Sequence, residues 1–200
     1  VPTDEDEHEI CLLGELSRKL RKDGEKRPSL FIIQRLDRFT SGVLSIARTP
    51  EAKERLKQQL KSRKIERRYL AIAKGRTNLD EGICRLPLFE DPRTLKMRLA
   101  RKGEMGKEAI TRWKMLDVRG EHSLIAVHLE TGRRNQIRVH LAAVGLPIIG
   151  DSRYGITSPW IGRTALHAES LSLHHPITMQ DLNFQVPIPE DMKLAWEAVG

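Results

Sequence analysis

Two stretches of this sequence carry side chains of the right type, in the right setting, to do chemistry. The first is Gln34-Arg35-Leu36-Asp37-Arg38-Phe39-Thr40-Ser41-Gly42. Asp37 follows an apolar run and precedes a polar turn, where scaffolds commonly expose functional groups. A carboxylate between two arginines serves as nucleophile, base or structural anchor. The plain alternative is an aspartate that caps the turn through the Thr40 and Ser41 backbone groups. The second stretch is Thr131-Gly132-Arg133-Arg134-Asn135-Gln136-Ile137-Arg138-Val139-His140-Leu141. Arg133 and Arg134 stand at a helix start, whose free amides favour anions, so this turn suits a phosphate. Arg138 sits at the edge of an apolar helix stripe. From there a long cation reaches a partly buried carboxylate or else snorkels to water.

The elements that must position these groups are short. Residues 30–33 read as a buried strand running up to Asp37, and residues 42–47 as a second. A helix follows within residues 48–68: Thr49 is the N-cap, Pro50 occupies the first helical position, and Ala52, Leu56 and Leu60 form the buried stripe. Strands are expected over 68–74, 123–129, 146–149, 166–173 and 181–186, and helices over 135–144 and from Pro189 onward. Residues 80–106 read as hairpins and exposed loops. Clustered strands with few helices predict an α+β fold, a mixed and mainly antiparallel sheet with flanking helices.

Charge narrows the partner. The 200 residues carry a net +8 with a pI near 9.7, which favours a polyanion. Residues 1–47 hold 8 basic and 9 acidic side chains, residues 48–68 hold 9 and 3, and residues 69–200 hold 18 and 15. The excess therefore concentrates on one helix and its flanks, whose outer face bears Lys53, Lys57, Lys61 and Lys64. A solvated face explains such a run; so does a phosphate-contacting surface beside a site.

Other classes drop out. No apolar run is long enough for a membrane span, and the acidic start is unlike a signal peptide, so a cytoplasmic protein is expected. Cys11 and Cys84 lack Cys-x-x-Cys spacing and read as buried thiols rather than a disulfide or zinc framework. His167, His174 and His175 follow a strand period without a carboxylate at ligand spacing, so no metal is expected. His140 reads as a helix-end residue or a contact to the polyanionic partner.

The sequence resembles the RluA-type pseudouridine synthases. Their pattern runs His-Arg-Leu-Asp-x-x-Thr-Ser-Gly, a strand tyrosine, Gly-Arg-x-His-Gln-Ile/Leu-Arg-x-His, Gly-x-Pro-x-x-Gly-Asp-x-x-Tyr, then Leu-His-Ala. Here stand Arg35 to Gly42, Arg68-Tyr69-Leu70-Ala71, Gly132 to His140, Gly145 to Gly155 and Leu166-His167-Ala168, in that order. Gln34 and Asn135 replace two histidines of the pattern. Strands and a Lys-Pro-x-Gly loop normally precede the first motif, so residues 1–200 are expected to be a catalytic domain lacking its N-terminal strands.

The resemblance implies a uridine-to-pseudouridine isomerase acting on structured ribosomal or transfer RNA, as a monomer, with neither cofactor nor metal. It casts Asp37 as the catalytic carboxylate, Tyr69 as the group that stacks on the base and assists proton removal, and Arg138 as the ion-pair partner of Asp37. The base must be flipped out of its stack, and Arg35 would fill the gap. Arg38, Lys53, Lys57, Lys61, Lys64, Arg133 and Arg134 would contact RNA. An inactive RNA-binding module of the same fold is the alternative. Retention of Asp37, Tyr69 and Arg138 together argues against it.

Overall fold

The computed structural model describes residues 12–200. In chain order the elements are α1 (Leu12–Lys22), β1 (Phe31–Ile32), β2 (Ser41–Gly42), β3 (Ile46–Ala47), α2 (Pro50–Lys61), β4 (Glu66–Lys74), β5 (Glu81–Cys84), β6 (Leu88–Glu90) and β7 (Met97–Leu99). They continue with β8 (Thr111–Arg119), β9 (His122–Leu129), α3 (Gln136–Ala143), β10 (Leu166–His174), β11 (Asp181–Gln185) and α4 (Glu190–Ala198). The main sheet has the order β11-β10-β4-β9-β8-β5, antiparallel throughout, with β2 added parallel to β10. Separate two-stranded pieces are β1 with β3 and β6 with β7. The architecture is the mixed, mainly antiparallel sheet with flanking helices that the sequence predicts.

Burial explains the arrangement. Strand β4 runs down the middle of the sheet, and its Leu70, Ala71, Ile72 and Ala73 are all buried because both faces are covered. Ile125 and Val127 of β9, Ile137 and Leu141 of α3, and Met192 and Trp196 of α4 complete that core. A second cluster, Leu56, Ile65, Leu171 and Leu173, lies beneath α2. Each such side chain contributes roughly 1.5–3 kcal/mol of burial. Helix α2 starts as its sequence dictates: Thr49 Oγ1 accepts from the Ala52 amide at 3.1 Å, with Pro50 at the first turn. Its inner face includes Gln59, which donates to the His174 carbonyl at 2.8 Å and accepts from the His174 amide at 3.1 Å, fixing the helix to the end of β10.

Several boundaries differ from expectation. The strand expected over 42–47 is two pieces, because Ser41–Gly42 pairs with β10 whereas Ile46–Ala47 turns away to pair with β1. The run 146–149 is buried cover for the core and makes only isolated bridges, Ala73 with Ile148 and Ile149 with Ile156. Strand β4 begins at Glu66, two residues before the expected start. Helix α1 and strand β8 have no counterpart in the sequence reading; in β8, Arg112 and Lys114 alternate outward and break up the apolar signal. Cys84 is a buried thiol, while Cys11 lies outside the described residues. Among the described residues no helix is long and apolar enough to cross a membrane.

Candidate active site

A cleft of about 1580 Å³ brings the two sequence stretches together. The Asp37 segment leaves β1, and the Thr40 amide donates to the Asp37 carbonyl at 2.9 Å, closing a four-residue turn. Ser41 and Gly42 then lie against His167 and Ala168 of β10. Gly42 has φ +119°, and a Cβ there would collide with the Ala168 carbonyl, so only glycine permits this approach. Ser41 Oγ shares a 2.9 Å hydrogen bond with His167 Nδ1. On the other side of β10, Ala168 is the register partner of Tyr69. Backbone pairing thus delivers Asp37 and Tyr69 to one cleft.

Arg138 comes from α3. Its Nη1 donates to Asp37 Oδ2 at 3.3 Å, but its stronger contacts go to Asp151: Nε to Oδ2 at 2.6 Å and Nη2 to Oδ1 at 2.7 Å. Asp151 has a fully buried side chain, and its Oδ1 also accepts from the Arg153 and Tyr154 amides at 3.0 and 3.1 Å. The guanidinium carbon lies 4.8 Å from the Tyr154 ring centroid. Tyr154 is fixed in turn, its hydroxyl accepting from the Met97 amide at 3.0 Å. One cation is therefore held by two carboxylates and an aromatic face.

Electrostatics follow from this packing. Burial works against the Arg138 charge, yet its bonds to Asp151 and the charges of Asp151 and Asp37 raise its pKa above the usual arginine value. Burial likewise opposes the Asp151 anion, but Arg138 and the two amides hold that carboxyl below its ordinary range. Burial pushes the Tyr69 phenol up, with Arg67 pulling it back and Asp37 pushing it further. Tyr69 therefore presents a neutral phenol to the cleft.

The remaining anticipated residues divide. Arg35, Arg38, Lys57, Lys61, Arg133 and Arg134 line the cleft. Lys53 and Lys64 stand outside its lining, and the Lys53 ammonium lies 5.4 Å from the Phe31 ring centroid. The turn before α3 is less open to anions than its arginines suggest. The Arg133 amide donates to Gln136 Oε1 at 2.9 Å, Arg133 Nε donates to the Glu108 carbonyl at 2.9 Å, and Arg134 pairs with Glu90 at 3.0 Å. Gln136 also reaches Ile110 and Thr111, so it organises this turn from within.

Of the two readings of His140 the helix-end one holds: it lies in the last turn of α3, fully buried between Thr111 Oγ1 and the Leu86 carbonyl, each at 2.9 Å, so it ties α3 to its neighbours and its ring is not exposed at the surface. His167, His174 and His175 take separate partners: His167 bonds Ser41, His174 bonds Asp181, and His175 Nδ1 accepts from the Ile177 and Thr178 amides. Sequence reasoning missed Asp151, although it falls in the Gly150-Asp151 motif, and it missed Arg67 and the exposed Phe39 at the rim. For Arg67 a signal existed, since two residues from Tyr69 on a strand means the same face.

A basic-walled cleft with a carboxylate, a phenol and a clamped guanidinium is the class of site these residues build. The comparisons give that class its family. Residues 8–143 match the RNA pseudouridylate synthase family model, and the chain belongs to this family. An uncharacterized RNA pseudouridine synthase of Bacillus subtilis, YjbO, is 37% identical over 166 residues, covering 83% of this chain and 58% of the relative. Ribosomal large subunit pseudouridine synthase D of Nitrosomonas europaea is 38% identical over 181 residues, covering 86% and 52%. The chain spans about half the length of the curated relatives it matches. Among solved structures, human RNA pseudouridylate synthase domain containing 4 superposes with a TM-score of 0.78 at 22% identity, covering 95% of this chain and 84% of that one. Human RNA pseudouridylate synthase domain containing 1 gives 0.69 at 26% identity, covering 86% and 73%.

Proposed function

We propose that this chain carries the catalytic centre of an RNA pseudouridine synthase that isomerises a uridine in structured RNA, with Asp37 as the catalytic carboxylate. The observation that carries the reading is the Asp37–Arg138 pair on the floor of a basic cleft, with Tyr69 on the same floor. Of ribosomal and transfer RNA, the name of the Nitrosomonas relative favours ribosomal RNA.

The uridine leaves its stack and enters the cleft, and Arg35 at the rim occupies the space it vacates. Asp37, oriented by Arg138, acts at the ring or the ribose while the bond between N1 and C1′ breaks. The uracil turns within the cleft against Tyr69, and C5 bonds to C1′. The proton on C5 is then lost, with the Tyr69 hydroxyl assisting, and N1 gains one, so the product is an isomer of the substrate. The reading needs no redox step, cofactor, metal or second copy of the chain.

Tritium release from RNA labelled at C5 of uridine tests it, using unmodified ribosomal and transfer RNA transcripts. The wild-type chain is expected to release tritium from at least one transcript. Asp37→Asn is expected to release none while binding that RNA within a few-fold of wild type. Turnover by the variant would remove Asp37 from the mechanism, and silence of the wild type on every transcript would remove the function.

A further inference from the structure

Arg67 is the anomaly of the cleft. The residue is 7% exposed, yet no carboxylate pairs with it among the described residues. Its Nη2 donates to the Leu129 carbonyl at a long 3.4 Å, and its Nε has no partner at all. Neighbouring arginines differ: Arg63 pairs with Glu108 and Glu130, Arg112 with Glu130, Arg134 with Glu90. A buried charge without a counter-charge is strongly unfavourable. Burial accordingly pushes the Arg67 guanidinium below its ordinary pKa, though arginine stays protonated.

The space around this cation is built. A Cβ on Gly132 would fall 2.5 Å from Arg67 Nη1, so the guanidinium fills the room that glycine leaves. Strand alternation puts Arg67 on the cleft face with Tyr69, about 7 Å further along β4, the scale of one nucleotide. Lys61 and Leu60 of α2 also line the cleft.

We propose that Arg67 is a receptor for one phosphate of the RNA backbone beside the extruded uridine. The proposal rests on the function given above. A neutral acceptor such as a uracil carbonyl would satisfy a hydrogen bond and leave the charge unmet. A phosphodiester supplies both the anion and two oxygens in the spacing of a guanidinium fork. Gly132 then serves substrate binding indirectly, by keeping the fork in place.

The test follows the Arg67 Nε–H signal of the 15N-labelled chain during titration with inorganic phosphate, uridine 5′-monophosphate, uridine and a uridine trinucleotide. The signal is expected to move with the three phosphorylated probes and to stay still with uridine, and the trinucleotide is expected to displace phosphate. A uridine response equal to that of the monophosphate would assign the guanidinium to the base and overturn the proposal. So would the absence of any phosphate response, or a phosphate response that the trinucleotide does not compete away, which marks a site for the free anion. Arg67→Gln, with its fold verified by its spectrum, is expected to raise the RNA concentration for half-maximal single-turnover rate by about 10–100-fold, with Arg67→Lys in between. An unchanged value overturns the proposal as well. Should the Gln variant not fold, the wild-type titration and Arg67→Lys decide. Failure of the enzymatic reading looks different: no pseudouridine from the wild type while the Arg67 signal still answers phosphate.

Discussion

Two arginines of the cleft, the buried Arg67 and the half-buried Arg138, are opposites. Arg138 meets Asp37, Asp151 and the Tyr154 ring, so nearly all of its donor capacity is spent inside the protein. Arg67, on β4, has one long bond to a carbonyl and no anion. The first is a structural brace that holds a carboxylate still. The second keeps its charge for something that arrives. Burial alone therefore does not tell what an arginine is for; the count of carboxylates around it does.

Replacing each arginine by methionine, which keeps the stem and removes the charge, puts that contrast to the hardest test. Arg138→Met strands the buried Asp151 carboxylate, so stability is expected to fall by about 3–5 kcal/mol. Activity is expected to fall by a factor on the order of 10²–10³ under conditions where the variant remains folded. Arg67→Met removes an unpaired buried cation, and its Tm is expected to stay level or rise. Denaturation curves for the pair decide; equal losses at both positions would erase the distinction.

A smaller effect sharpens the brace itself. Asp151→Asn keeps an oxygen for the Arg153 and Tyr154 amides but weakens the hold on Arg138. The expected result is a kcat lower by about 10–100-fold with RNA affinity within a few-fold. An unchanged kcat would mean that Asp37 orients Arg138 without help.

The smallest effect concerns acid. Burial holds the His140 pKa below its usual value, with the Leu86 carbonyl opposing, and His122, His128 and His167 are shifted the same way. The folded chain then binds fewer protons than the unfolded one, so stability is present above the unfolded histidine pKa and falls as the pH drops through about 6.5. The depressed Asp151 extends the loss toward about pH 4 and below. Arg67 and Arg138 remain charged throughout this window, so neither contributes to it. His140→Gln is expected to flatten part of the Tm decline between about pH 7 and about pH 5, the other histidines keeping the rest. A slope identical to wild type would contradict the assigned burial effect.

Much of this was legible in the residues. The turn after Asp37, the capped helix α2 and the apolar stripe of α3 are local, and local propensity states them. The placement of Arg138 at the edge of that stripe made its reach toward a carboxylate readable too. What stayed hidden depends on partners far along the chain. Asp151 became visible only when the loop after α3 folded back on Arg138. Arg67 looked like one more cation in Glu66-Arg67-Arg68 until β4 proved two residues longer and turned it inward. His140 follows the motif arginine by two positions and so points to the sheet, where Thr111 and Leu86 await it. Lys53 lies on α2 but not among the residues that border the cleft, and Lys64, expected on the same helix face, lies beyond the end of α2 at Lys61.

The doubly paired Ala168 has a consequence in time. Gly42 lies on one side of it and Tyr69 on the other, so the separation of the two segments that meet in the cleft is set by two interstrand spacings, about 10 Å in all. That ruler is made late. The Ser41–His167 contact joins residues 126 apart, and chains that rely on such distant pairings gain them slowly, after the entropy of a long loop has been overcome. As a ribosome releases the chain in order, Asp37 and Tyr69 emerge long before the strand that sets their spacing. A half-made chain therefore carries both side chains of the cleft without their spacing, which is set only when β10 slides between them.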